Sequence, residues 1–206
     1  MKYFKYTVLF IFLLCTTTFA STQKTAAEKL AGLLDQFTTF QAQFSQTTMD
    51  VQEQVLERSA GTVSIMRPGQ FRWETDNPTH QIVITDGNTL WVYDVDLKQA
   101  TKQSIAKSPM NPAKLLSGHT NDLLKQFTVH LIPHRTALVF QLIPKKPNQQ
   151  FRSIAIAFAH EKLQSMQIEN NAEQTTIFDF SHVILNEHLS PSIFQFKAPS
   201  GVDVMR

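Results

Sequence analysis

Apolar and polar positions alternate along this chain with two different periods. Leu30, Leu33, Leu34 and Phe37 recur at the three-to-four spacing of one helix face. Thr25-Ala26-Ala27-Glu28 ahead of them fits a capping box, in which a Thr hydroxyl and a Glu carboxylate satisfy each other's backbone amides. Together they predict a helix over residues 25–38. Phe40, Ala42 and Phe44 then alternate with Gln41, Gln43 and Ser45, which is the period of a strand. Residues 61–66 predict the next strand, and a meander follows: Gln70-Phe71-Arg72-Trp73-Glu74 alternates, 81–85 is β-branched, and 90–93 is aromatic-rich. Asp86-Gly87-Asn88 supplies a turn, because these residues tolerate positive φ. Pro68-Gly69 reads as a turn or a strand irregularity. Phe71, Trp73, Trp91 and Tyr93 offer more aromatic surface than a three-stranded meander can hide, so something apolar must cover it.

Beyond the meander, Asn111-Pro112-Ala113-Lys114-Leu115-Leu116-Ser117-Gly118 carries an N-cap, a first-turn proline and a terminal glycine, the marks of a short second helix. Residues 104–110, with Pro109, predict a loop, and 121–126 a further helical turn. Strands return over 127–132, 137–143, 151–159, 162–169, 174–185 and 192–196. This order is neither a βαβ repeat nor a bundle; it is mainly β with few helices, built on a large antiparallel sheet. Such a sheet curls toward a barrel, and helices fill or lid its open side. The same apolar residues serve equally as a solid core against the helices or as the lining of a cavity.

The 206 residues are enough for one domain after a leader. Lys2 and Lys5, the apolar run from Thr7 to Cys15, and Thr18-Phe19-Ala20 before Ser21 form a secretory signal, so residues 1–20 are expected to be cleaved and 21–206 to form the single mature domain. The one cysteine, Cys15, follows the bulky Leu14 rather than a small residue, which argues against lipidation. Removing Lys2 and Lys5 leaves 17 of the 19 basic residues against 17 acidic ones, a formally neutral chain with no run of like charge for nucleic acid.

Catalytic and metal signatures are weak. His130 and His134 are four apart, but Pro133 and the strand pattern deny them a helical face. Asp94 and Asp96 share a strand side without a third ligand. Gly118-His119 lacks the partners of a nucleophile elbow, and the six glycines form no phosphate cradle. No metal, cofactor or enzymatic activity is expected. Arg67 is the polar residue of interest: its five fixed donors can reach from a strand end to backbone carbonyls of a helical lid, or it is a solvated strand-end arginine.

Four segments together resemble the outer-membrane lipoprotein carrier family, LolA. They are Phe40-Gln41-Ala42-Gln43-Phe44-Ser45-Gln46, Arg67-Pro68-Gly69-Gln70-Phe71-Arg72-Trp73, Asp86-Gly87-Asn88-Thr89-Leu90-Trp91-Val92-Tyr93, and Pro199-Ser200-Gly201-Val202-Asp203-Val204. The resemblance implies an unclosed, strongly curved antiparallel β-barrel with a helical lid. It implies a monomeric periplasmic carrier that shelters the acyl chains of lipoproteins. Cargo would come from an inner-membrane ABC-type release transporter and pass to an outer-membrane lipoprotein receptor. It places Arg67 against the lid, Phe71 at the cavity and Leu34 on the lid; Phe40, Phe44, Trp73, Trp91 and Tyr93 are further acyl-chain or cavity candidates from their own apolar character. A related-fold carrier of another lipid or glycolipid is the competing expectation.

Overall fold

The computed structural model describes residues 25–108, 111–146 and 151–205; the expected signal, residues 1–20, lies outside them, as do Pro109 and Met110 of the expected loop. The chain starts with α1 (Ala26–Leu34). Thr25 is its N-cap, and the Glu28 amide donates to the Thr25 hydroxyl (3.2 Å) while the Thr25 amide donates to the Glu28 carboxylate (2.7 Å). Leu30, Leu33 and Leu34 are its buried face. The helix stops four residues short of the expected 38. Asn186 explains the stop: its Oδ1 takes the Thr38 amide (2.8 Å) and its Nδ2 donates to the Gln36 carbonyl (2.9 Å), so these groups are lost to helix propagation.

Six strands follow in sequence-adjacent pairs: β1 (Thr39–Met49), β2 (Val55–Met66), β3 (Gln70–Asn77), β4 (Gln81–Thr85), β5 (Thr89–Asp94) and β6 (Gln99–Ser104). Two short helices, α2 (Pro112–Ser117) and α3 (Thr120–Gln126), interrupt. Then come β7 (Phe127–Ile132), β8 (Leu138–Pro144), β9 (Ser153–Ala159), β10 (Lys162–Glu169) and β11 (Thr175–Leu185). The expected loop after β6 contains one 3₁₀ turn, Ile105–Lys107. All the strands join one twelve-stranded sheet in the order β12-β6-β5-β4-β3-β2-β1-β11-β10-β9-β8-β7, where β12 is Asp203–Met205. Because β1 pairs with β11, the two halves of the chain meet in the middle of the sheet, and β12 and β7 never pair with each other. The sheet is curved, antiparallel and unclosed, apart from the parallel pair β12·β6.

One of the expected strands changes here. Residues 192–196 are not a strand: Pro191 opens a 3₁₀ turn, Pro191–Phe194, capped by the Ser190 hydroxyl, and proline has no amide to give a ladder. The true last strand, β12, is three residues long, too short for a period to show. Between them the chain crosses the convex face, where the Phe196 ring packs at a tilt against Trp91 (centroids 5.1 Å) and Tyr93 (5.2 Å).

The concave face holds the main core. Leu30, Leu33 and Leu34 of α1 and Ala113, Leu115 and Leu116 of α2 are buried with Phe40, Phe44, Ile65, Phe71 and Trp73 from the first half of the sheet, and with Phe140, Ile156 and Met166 from the second. A separate convex cluster comprises Ile82, Ile84, Tyr93 and Ala100, with Trp91 and Phe196 packed on it. Between β2 and β3 the register slips, so that Ala60 faces Asn77 but Gly61 faces Thr75. At that bulge a Cβ on Gly61 would lie 1.9 Å from the Glu74 carbonyl oxygen. Gly61→Ala therefore cannot be accommodated without parting two strands. It should cost about 3 kcal/mol, read as a lowered urea midpoint; an unchanged midpoint would show that the strands separate freely there.

Candidate functional site

Arg67 directly follows β2, and its backbone amide donates to Thr38 O (2.8 Å). The turn after it runs through Pro68 and Gly69, the latter at φ +82°, and the Gly69 amide donates to Ser117 O (2.8 Å) at the end of α2. This anchors the β2–β3 turn beneath the helices and aims the Arg67 side chain, only 11 % exposed, at their ends. Nη1 donates to Leu34 O in the last turn of α1, and Nη2 donates to Gly118 O (2.7 Å) at the cap of α2 and to Thr120 Oγ1 (2.6 Å) at the start of α3. Thr120 Oγ1 in turn donates to Asp35 Oδ1 (2.6 Å), whose carboxylate lies 3.5 Å from Nη1. The guanidinium sits 5.3 Å from the centre of the Phe37 ring.

A cation here answers two carbonyls that their helices leave without partners, at the ends where the helix dipoles are negative. Burial lowers the Arg67 pKa from its ordinary value, and the Asp35 charge counters the shift. Of the two readings open in the sequence, the contacts to helix-end carbonyls are the one found. Asp35, Phe37 and Thr120, which complete the arrangement, were not anticipated; nothing local marks them, because they meet only when three helix ends converge. Lys114 adds another tether, its Nζ donating to Ile105 O (2.9 Å) and Ser108 O (2.9 Å) and so tying α2 to the preceding loop.

A cavity of about 340 Å³ opens beside α2 on the concave face. Phe71, Trp73, Val83 and Phe178 line it from the sheet, and Pro112 and Ala113 from the helix. Phe71 and Trp73 are thus where the sequence expected them. Leu34, Phe40 and Phe44 lie deeper, in packed core: Leu34 and Phe40 are fully buried, and the Phe44 ring centre is 4.3 Å from that of Trp73. Trp91 and Tyr93 are corrected. They point to the convex side, because Thr85 pairs with Leu90 and puts Leu90, not Trp91, on the face shared with Phe71. Val83 and Phe178 were missed; the alternation of Phe178 with Phe180 in residues 174–185 was the available signal.

The structure also brings together Glu74, Asp76 and His80, whose ligand atoms lie within 4.8 Å of one another. Glu74 is already engaged: it accepts from Arg72 Nη2 (2.6 Å) and lies 2.9 Å from His80 Nε2. Asp94 and Asp96, considered from the sequence as a pair of ligands, serve turns instead, accepting from the amides of Leu97 (2.9 Å) and His80 (3.1 Å).

A half-barrel whose cavity joins an aromatic floor to a polar wall under fastened helices is the architecture of a protein that encloses an amphiphilic ligand. The family model described as "Outer membrane lipoprotein carrier protein LolA" matches residues 35–197. The outer-membrane lipoprotein carrier protein of Coxiella burnetii strain CbuK_Q154 is 46% identical over 201 residues, 97% of this chain and 95% of that protein. Its counterpart in Chromohalobacter salexigens is 33% identical over 207 residues, 100% of this chain and 99% of that protein. An uncharacterized conserved protein from Thermus thermophilus shares the fold at a TM-score of 0.56 and 13% identity, over 88% of this chain and 99% of that one. The chain belongs to the LolA family of outer-membrane lipoprotein carrier proteins, which is not an enzyme class.

Arg67→Leu strips two helix ends of their charged donor. It should lower stability by roughly 3 kcal/mol and speed amide hydrogen exchange selectively in α1 and at the α2–α3 junction; uniform exchange rates would refute the fastening role. On the convex side, burial raises the Glu74 pKa, but hydrogen bonds from His80 and Arg72 outweigh it and hold the carboxyl below its ordinary 4.5. A depressed folded-state pKa contributes stability above the unfolded value and loses it as pH falls through the folded one. Glu74→Gln should accordingly flatten the decline of the urea midpoint between about pH 5 and pH 3, and a decline as steep as in the parent would exclude that network as its source.

Proposed function

We propose that this chain carries lipoproteins from the inner to the outer membrane, holding their acyl chains between the concave face and the helices. The observation that carries the reading is the cavity with an apolar patch of Phe71, Trp73, Val83 and Phe178, beside helices fastened by Arg67, in a chain of the carrier family. Each CH₂ taken from water is worth about 0.8 kcal/mol, so partial burial of one long chain supplies roughly 5 to 10 kcal/mol with no charged contact. The cavity of about 340 Å³ sits at the small end of ligand pockets. Loading more than part of one chain therefore requires α1 and α2 to move outward and give up Leu30, Leu33, Leu34, Leu115 and Leu116 as walls. Arg67 acts in this reading as the latch: cargo displaces the helix ends from its guanidinium, and release restores them.

Residues 1–20 serve as a cleaved signal that delivers residues 21–206, as a single domain, to the periplasm. No helix among the described residues is long and apolar enough to cross a membrane. Directional transfer draws its energy from an inner-membrane ABC-type transporter at loading and from a tighter apolar site on an outer-membrane receptor at delivery. A release assay from inner-membrane vesicles carrying labelled lipoprotein tests the whole reading: soluble carrier–lipoprotein complex is expected, and label that stays with the vesicles despite an active transporter sinks it. Phe71→Glu, and Val83→Glu on a less buried neighbour, place a carboxylate on the acyl path and should cut recovery of the complex at least tenfold. Wild-type transfer by either variant, with far-UV circular dichroism unchanged, would remove that residue from the path.

A further inference from the structure

The cavity has a second, polar wall. Stepping two residues along each strand in one direction, the inward positions change character together. On β1 Phe44 gives way to Gln46, on β3 Trp73 to Thr75, and on β4 Val83 to Gln81, while on β2 Gly61 is followed by Ser59 and then Glu57. The register makes these positions neighbours: Gln46 faces Ser59, Gly61 faces Thr75, and Thr75 faces Gln81. All of the polar residues named line the same cavity as Phe71, Trp73 and Phe178. Among the described residues, none of these polar side chains has a hydrogen-bond or ion-pair partner in the protein, and Glu57 is the one charged residue of the lining. An aromatic floor beside a belt of unengaged amides and hydroxyls is a site with two chemistries.

We propose that this belt is a headgroup subsite that takes the neutral, amide- and ester-bearing junction of an acylated peptide and rejects anionic lipid heads. The proposal rests on the carrier reading and specifies its ligand. Gln46 and Gln81 each offer an NH₂ donor and a carbonyl acceptor, and Ser59 and Thr75 a hydroxyl of either sense. That set matches the ester carbonyls of a diacylglyceryl group, the N-acyl amide and the first peptide N–H groups. It contains no Lys or Arg to meet a phosphate or a free carboxylate. Glu57 at the rim repels either one, while it accepts from peptide N–H groups. Fatty acids and anionic phospholipids, which share the acyl chain, are thereby disfavoured at the polar end while the apolar floor remains indifferent to them.

The test compares two probes with one chain and different heads, laurate and its glycerol monoester, at pH 8, with a synthetic N-acyl, S-diacylglyceryl cysteinyl dipeptide amide as the cargo mimic. The parent protein should bind the lipopeptide, and should prefer the monoester over laurate by about tenfold, equivalent to ~1.4 kcal/mol. Glu57→Gln, at an exposed position, should shrink that preference severalfold by tightening laurate binding. The double variant Gln46→Leu with Gln81→Leu should weaken the lipopeptide and the monoester while sparing laurate. Lipopeptide binding with equal affinity for the two laurate heads, or with a preference untouched by Glu57→Gln, overturns the headgroup subsite and leaves the carrier reading standing. Failure of the parent protein to bind lipopeptide at all overturns both.

Discussion

The helices that cover the concave face are nine, six and seven residues long, and none of them is long enough to persist in water by its own propensity. Their existence depends on docking: leucines pressed onto the sheet on one side, and the Arg67 guanidinium holding their ends on the other. A cover built from marginal elements and one charged clasp is held by few interactions. The sheet, whose strands are paired from β1 outward in both directions, does not depend on that cover for its own hydrogen bonds. In the proposed carrier cycle, this separation between a cooperative sheet and a lightly held cover lets the cover lift while the sheet stays folded.

The sheet and the cover also divide the chemistry. Apolar contact gives strength without selectivity, since every acyl chain offers the same methylenes. In the proposed headgroup subsite, selectivity comes from the inward positions of β1 to β4 that turn polar. In the proposed cycle, energy for directional movement enters through the partners that load and empty the cavity.

Much of the fold was legible because period two and period 3.6 are strong signals in this chain: β4, β7 and β10 fall on their expected residues, and the Thr25 capping box and the Asn111 cap form as read. What was lost depended on distant groups. The end of α1 is decided by Asn186, nearly the whole chain away, and the turn at Pro191 by a proline that breaks an otherwise plausible alternation. Trp91 and Tyr93 show the sharper limit. Alternation says that two residues share a face, but which face is inside follows from cross-strand register, and here Thr85 opposite Leu90 sends the aromatics outward. Arg67 could be singled out from its place beside a turn and from family resemblance, whereas Thr120 and Asp35 entered only through the folded geometry.

The segment that leaves β11 and crosses the convex face has an effect on solubility. By laying β12 beside β6, it reduces one margin of the sheet to a three-residue strand, while the other margin is the six-residue β7. Among the described residues the sheet is therefore asymmetric at its borders, with one border long enough to recruit another strand and one that is not. Growth of a filament by edge pairing needs two competent borders on every copy. Two copies meeting along β7 would instead close on each other and stop. For the proposed carrier, such borders disfavour open-ended growth along the sheet edges.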